Sequence, residues 1–225
     1  MNQVVVVGAG PTGLAVALGL QLQGIPTIVL EAEPALTRDL RAGSFHPPTL
    51  EVLDTLGVGQ KFRDIGIVVP QWQIRDRKDG VVAQFDLGLL RDETPYPYRL
   101  HCEQFKLTPI LAEALRAAGG EVRFATAFTG FTQDADGVTA EADGPDGRER
   151  FACRYLVGCD GGRSAVRKAM GVAFEGFTWP ERFLVVSMTE DLSRHGYTGN
   201  AYIADPVEWV AIFVMPHLGL SLIHI

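Results

Sequence analysis

Three clusters in this chain combine residue types and spacings that could do chemistry. The first is Gly8-Ala9-Gly10-Pro11-Thr12-Gly13, directly behind four consecutive valines, Val4 to Val7. Glycines so spaced allow a tight turn, close approach of main chain to a diphosphate, and close packing of the next helix on the strand. A helix opening at Pro11 would aim its free N–H groups and positive dipole end at the phosphates. The second is Glu31, closing the apolar run Ile28-Val29-Leu30 one strand–helix–strand unit later. A carboxylate there accepts hydrogen bonds from ribose hydroxyls. The third is Gly158-Cys159-Asp160-Gly161-Gly162-Arg163-Ser164. Its paired glycines let main chain approach a ligand, and its aspartate can hold a loop or a ribose hydroxyl. Ser164 is placed to cap the following helix, and Arg163 and Arg167 add positive charge at the mouth. Together these clusters predict a dinucleotide site.

The elements that must position them follow from pattern. The valine run reads as a buried strand, and the helix after it should run from Pro11 to about Gln23, with Leu14, Ala17, Leu18 and Leu22 apolar. Pro11 suits a first helical turn and Gly24 a helix end. Pro48 to Leu56 reads as a short helix stopped by Gly57. Asp79-Gly80 between Trp72-Gln73-Ile74 and Val81 to Phe85 predicts a hairpin. A second long helix is expected from about Gln104 to Ala118, then a strand over Glu121 to Ala125. Phe128 to Gln133, Val138 to Ala142 and Arg148 to Cys153 suggest a three-stranded meander. Tyr155 to Cys159 reads as a buried strand and Ser164 to Met170 as a short helix. Phe183 to Thr189, Ala201 to Ile203 and Trp209 to Met215 are further strand candidates. The fold class is α/β: a nucleotide domain with a second sheet inserted in two visits.

Composition agrees with a globular enzyme. The chain has 225 residues, 47% of them hydrophobic, enough for a sizeable core. A net charge of −7 without a basic cluster argues against nucleic acid. Cys102, Cys153 and Cys159 lack metal-ligand spacing, so no metal is expected and buried thiols in a reducing, cytoplasmic setting are. The first strand begins at Gln3, leaving no room for a signal peptide. Trp209 to Ile225 is apolar, but Pro216 and His217 interrupt it and it is too short to span a membrane.

These motifs, with Arg41-Ala42-Gly43 and Gln104 at the start of its helix, resemble the class A flavoprotein monooxygenases, the family of para-hydroxybenzoate hydroxylase and 3-(3-hydroxyphenyl)propionate hydroxylase. The likeness spans residues 1 to 219. It implies a Rossmann-like FAD-binding domain with an inserted β-sheet substrate domain. By similarity Gly8, Gly10, Pro11, Thr12 and Gly13 would cradle FAD, and Glu31 would hold its adenosine ribose. Arg41 and Gln104 would contact its diphosphate and flavin end, while Asp160 and Gly161 would support both FAD and the NADPH or NADH that reduces it. The implied division is 1–70 and 101–175 for the FAD domain, with 71–100 and 176–219 building the substrate sheet. The implied reaction is hydroxylation of a phenolic or other aromatic small molecule by O₂ through a flavin C4a-hydroperoxide.

No catalytic base is assigned. His46, His101, His195 and Tyr202 are candidates, with His46 the best placed; Trp72, Tyr202 and Trp209 could line an apolar pocket. FAD-dependent reductases, halogenases and hydroxylases of polyketides or quinone precursors on the same scaffold stay open, as does a nicotinamide-only dehydrogenase. The family's later Gly-Asp motif does not follow Asp160, so a C-terminally truncated chain is expected, weak in FAD binding and inactive. Residues 220–225 resemble the translation of a transposon-end adapter and are read as a non-native tail. The full-length protein is compatible with a homo-oligomer.

Overall fold

In a computed structural model, residues 2–38, 42–180 and 184–216 are described, together with the backbone of 219–224. The chain forms two compact units, Met1–Asp39 with Phe105–Gly176, and Leu40–Gln104 with Phe177–Ile225. The chain enters the second unit twice. Residues 40–70, grouped by sequence with the nucleotide domain, fold into the second unit. Their strands Ser44–Phe45 and Ile67–Val69 both pair antiparallel with Arg99–His101.

In the first unit four parallel strands lie in the order Tyr155–Gly158, Val4–Val7, Thr27–Leu30, Glu121–Arg123. All four valines of Val4–Val7 are buried, as expected of a central parallel strand covered on both faces. Val5 and Val7 point to one face, where they meet Phe128, Ala140, Ala142 and Cys153 of the antiparallel meander Ala127–Gln133, Val138–Gly144, Gly147–Cys153. Val4 and Val6 alternate to the other face. The helix Pro11–Leu22 packs on the two central strands and against the helix Leu107–Ala117. The latter buries Leu107, Ile110, Leu111 and Leu115 at helical spacing. Its α-helical part begins three residues later than expected, after a 3₁₀ turn at Gln104–Lys106.

One strand departs from its sequence reading. Tyr155–Gly158 is not buried: it is an edge of the parallel sheet, half-exposed along its length, with the Tyr155 side chain largely in solvent. Apolar content alone does not separate an edge strand from a central one.

The second unit holds a six-stranded sheet in the order Leu184–Met188, Gly219–His224, Val210–Met215, Asn200–Ala204, Gln71–Asp76, Gly80–Asp86. All neighbours are antiparallel except Asn200–Ala204 with Gln71–Asp76, which is parallel. The expected hairpin turns at Gly80, whose φ of +79° suits glycine. Residues 219–224, which overlap the suspected tail, pair along their backbone with both neighbouring strands. Side chains on one face form an aromatic ladder. Phe85 stacks on Trp72 at 4.4 Å, Trp72 meets Tyr202 edge-on at 5.8 Å, and Tyr202 meets Phe213 at 6.0 Å.

Candidate functional site: a dinucleotide cradle

The glycine-rich turn, Glu31 and Asp160 all lie just beyond the carboxyl ends of adjacent parallel strands, where open α/β sheets bind ligands. Gly8 donates its N–H to the Leu30 carbonyl at 2.8 Å, and Cys159 donates to the Val7 carbonyl at 2.8 Å. These bonds knit the three strand ends together.

The three glycines have separate physical jobs. Gly8 has φ +102°, and a Cβ there would stand 2.6 Å from the Cys159 carbonyl oxygen. A Cβ on Gly13 would fall 2.0 Å from the Gly8 carbonyl oxygen. Both are therefore demanded by the protein's own packing. Gly10 is different. Its backbone is extended, at φ −68° and ψ 173°, and a Cβ would meet no protein atom within 4 Å. No protein contact excludes a side chain there, so the space beside the turn is open to a ligand. Gly10 is also the N-cap of Pro11–Leu22, with Pro11 at the first helical position, no side-chain cap and no acidic residue in the first turn. Exposed Thr12 follows it. The turn thus offers main-chain N–H groups and a positive dipole end to an anion.

Glu31 closes the cradle from the second strand. Ala9 N–H donates to its Oε2 at 2.7 Å and Glu33 N–H to its Oε1 at 3.0 Å. The carboxylate is held against the turn and partly exposed, and each oxygen keeps a lone pair for a sugar hydroxyl.

Asp160 has a more structural role than its sequence context suggests. Its Oδ1 accepts from Ser164 Oγ at 2.6 Å, and its Oδ2 accepts from the N–H groups of Ala165 at 2.5 Å and Val166 at 3.1 Å. Ser164 Oγ in turn accepts from Arg167 N–H at 2.9 Å, the cap expected of it. Burial pushes the Asp160 carboxyl upward, but these donors outweigh it and hold the group below the usual aspartate range. The aspartate therefore orders the loop in which Gly161 adopts φ +75°. The Arg167 guanidinium turns inward, donating to the Gly162 carbonyl at 2.9 Å and lying over Phe174. Burial, and next the neighbouring Asp160 charge, raise the Cys159 thiol, which stays protonated.

In the second unit, two motifs distant in sequence meet. Cys102 N–H donates to Gly43 O and Gln104 N–H to Ala42 O, both at 2.9 Å, extending the Ser44–His101 pairing. This sets Gln104 beside Ala42. Arg41 itself lies outside the described residues. A Cβ on Gly43 would fall 2.1 Å from the Met215 methyl carbon, the movable end of a flexible side chain.

This geometry accords with what known proteins show. The FAD binding domain family matches residues 1–216. The chain belongs to that family. Para-nitrophenol 4-monooxygenase from Pseudomonas sp. (strain WBC-3) is 36% identical over 98% of this chain and 55% of its own length. The crystal structure of p-nitrophenol 4-monooxygenase from Pseudomonas putida DLL-E4 superposes with a TM-score of 0.93 at 33% identity, covering 100% of this chain and 58% of that one. The ternary complex of aklavinone-11 hydroxylase with FAD and aklavinone gives a TM-score of 0.82 at 31% identity, over 99% of this chain and 45% of that one. The chain spans about half the length of the curated relatives it matches first. The family, and the FAD held by aklavinone-11 hydroxylase in its complex, point to FAD as the cofactor.

A second concavity lies on the sheet of the second unit, with a volume of about 410 Å³. Trp72, Tyr202 and Trp209, singled out in the sequence as pocket-lining residues, all contribute to its wall, with Ile74, Ile203 and Arg99. Of the proposed bases, only Tyr202 lines it. His195 is exposed and faces Glu190 at 3.6 Å. His46 is the N-cap residue of the helix Pro47–Thr55. His101 is fully buried, its Nδ1 3.0 Å from the Val214 carbonyl oxygen, so that nitrogen carries the proton. Burial first, and the Arg99 charge after it, keep both rings below the ordinary histidine value, His101 at about 4. Arg99 and its partner Asn200 escaped sequence reading. They sit in short strands, Arg99–His101 and Asn200–Ala204, whose pairing no local pattern announces.

Proposed function

We propose that the full-length protein is an FAD-dependent, NAD(P)H-consuming monooxygenase that hydroxylates a phenolic or related aromatic small molecule. The observation that carries this reading is Gly10, a glycine required by no protein contact at the mouth of an uncapped helix, within a chain of the FAD-binding family. Bound FAD would accept a hydride from NADPH or NADH and supply one oxygen atom of O₂ to the ring. The chain's own part is binding and orientation. Gly8, Gly10, Pro11, Thr12 and Gly13 shape the diphosphate cradle and Glu31 holds the ribose. Arg41 and Gln104 serve the diphosphate and flavin end, while Asp160 and Gly161 hold the loop that supports FAD and the nicotinamide.

An aromatic substrate is favoured by the cavity wall of Trp72, Tyr202 and Trp209, which suits a flat ring. The described residues contain no helix long and apolar enough to cross a membrane, and a cytoplasmic setting with O₂ and a small aromatic as partners fits the reading. The 225-residue chain by itself is proposed to bind FAD weakly and to turn over no substrate, with residues 220–225 foreign to the native protein.

The test is a visible spectrum of purified full-length protein, followed by NAD(P)H oxidation with and without added phenols. A flavin spectrum with phenol-stimulated oxidation is expected. A colourless protein, or oxidation indifferent to every phenol, would sink the proposal.

A further inference from the structure

Arg99 is the charged residue in the wall of the Trp72–Tyr202–Trp209 cavity. Its guanidinium lies over the Trp72 indole, 4.9 Å from the ring centre, while Phe85 stacks on the same indole. One terminal N–H group donates to Asn200 Oδ1. Asn200 is fully buried and fixed in its turn: its Nδ2 donates to the Ile212 carbonyl at 3.1 Å, and its own carbonyl accepts from Thr198 Oγ1 at 2.6 Å. The arginine is thereby oriented before any ligand arrives.

Its charge is not balanced locally. Among the described residues no carboxylate pairs with Arg99, and its buried Nε–H has no hydrogen-bond partner. The Arg99 charge is felt by His46 and His101, and with burial, the larger cause, it holds both imidazoles below the ordinary histidine value. A guanidinium in an apolar wall, with no paired carboxylate among the described residues, is suited to receive an anion there. A planar fork beside aromatic faces is suited to an oxyanion carried on a flat ring.

We propose that Arg99 is the specificity-determining residue of this cavity, holding an anionic oxygen borne by the aromatic substrate while Trp72, Tyr202 and Trp209 hold the ring. Two sources share that chemistry, a phenolate and an aryl carboxylate. The inference rests on the monooxygenase reading above, since it assigns this cavity to the substrate. For a phenol, Arg99 also stabilises the ionised form, which is the electron-rich one that oxygen transfer needs.

The experiment uses the full-length flavoprotein with 4-nitrophenol, 4-nitrobenzoate and the neutral ether 4-nitroanisole, binding being read from quenching of tryptophan emission. At least one anion should bind about tenfold or more tightly than the ether, and which one does so identifies the group recognised. If it is the phenol, its colour change on ionisation should move about one pH unit or more downward in the complex, the effect of a nearby opposite charge. Arg99→Met should bring the anion-to-ether binding ratio down to about one with flavin content unchanged, and Arg99→Lys, which keeps the charge but not the planar fork, should restore part of the preference. Equal binding of ether and anions by the unmodified protein overturns the proposal; so does a preference that survives Arg99→Met. Should Arg99→Met fail to fold, the anion-to-ether ratio of the unmodified protein decides alone. Loss of this inference leaves flavin content and phenol-stimulated NAD(P)H oxidation intact, whereas failure of the monooxygenase reading removes one or both.

Discussion

In the first unit, the candidate cradle is built from main chain, fixed in place by glycines, a proline and a capped loop. In the second unit, the cavity wall is built of side chains from separate strands, and one cation is steered by a buried asparagine. The first arrangement tolerates almost no change in backbone but asks little of side-chain identity. The second can change what it recognises by exchanging a few side chains on an unchanged sheet. On the proposed function, the former would serve the cofactor and the latter the substrate.

The contrast can be broken at its strongest point by Gly13→Ala. The new Cβ would lie 2.0 Å from the Gly8 carbonyl oxygen, and relieving so severe an overlap should cost about 3 kcal/mol or more. Thermal unfolding should show a large loss of stability, with flavin content falling alongside. A stable, flavin-replete variant would mean that the turn is not packed as described.

A comparable effect belongs to the second unit alone. His101 is buried and neutral, with its ionisation lowered from 6.5 to about 4. Between those values the unfolded chain binds a proton that the folded chain does not. Stability should therefore be complete above pH 6.5 and fall as pH drops toward 4, by on the order of 3 kcal/mol. His101→Asn, which keeps a donor for the Val214 carbonyl, should flatten that limb in denaturant titrations across this range. An unchanged slope would place the proton uptake elsewhere.

A smaller effect is expected at the loop after Tyr155–Gly158. Asp160→Ala removes the acceptor for three donors at the start of the helix Ala165–Ala169 and should destabilise by about 1 kcal/mol, the scale of a lost cap. Because the Asp160 carboxyl is held below its ordinary value, its contribution is present above pH ~4. It is lost as pH falls through the lower folded value, so the variant and the unmodified protein should converge in acid.

The same contrast explains what could be read from the chain beforehand. Gly8, Gly10, Gly13 and Glu31 could be singled out as candidates because a backbone-built site would concentrate its requirements in a contiguous turn plus one residue a fixed distance away. Ser164 was legible as a cap for the same local reason. The two-visit insertion followed from the order of strands and helices. Other features depend on pairing between distant segments and left no periodic trace. They include the parallel junction of Asn200–Ala204 with Gln71–Asp76, the small sheet around Arg99–His101, and the exposed edge at Tyr155–Gly158. Trp72, Tyr202 and Trp209 were identifiable as candidates by residue type, yet only the fold brings them into one wall. Asp160 was noticed by motif, while its service to the loop required the hydrogen bonds.

The central claim, that the opening turn is shaped for the diphosphate of FAD, is tested most directly by Gly10→Ala in the full-length protein. The backbone there accepts any residue and the added methyl meets no protein atom within 4 Å. Stability of the flavin-free protein should fall by no more than about 1 kcal/mol, the scale of a weakened N-cap, while the FAD dissociation constant rises about tenfold or more, some 1.4 kcal/mol. Unaltered FAD affinity in a normally folded variant would contradict the account.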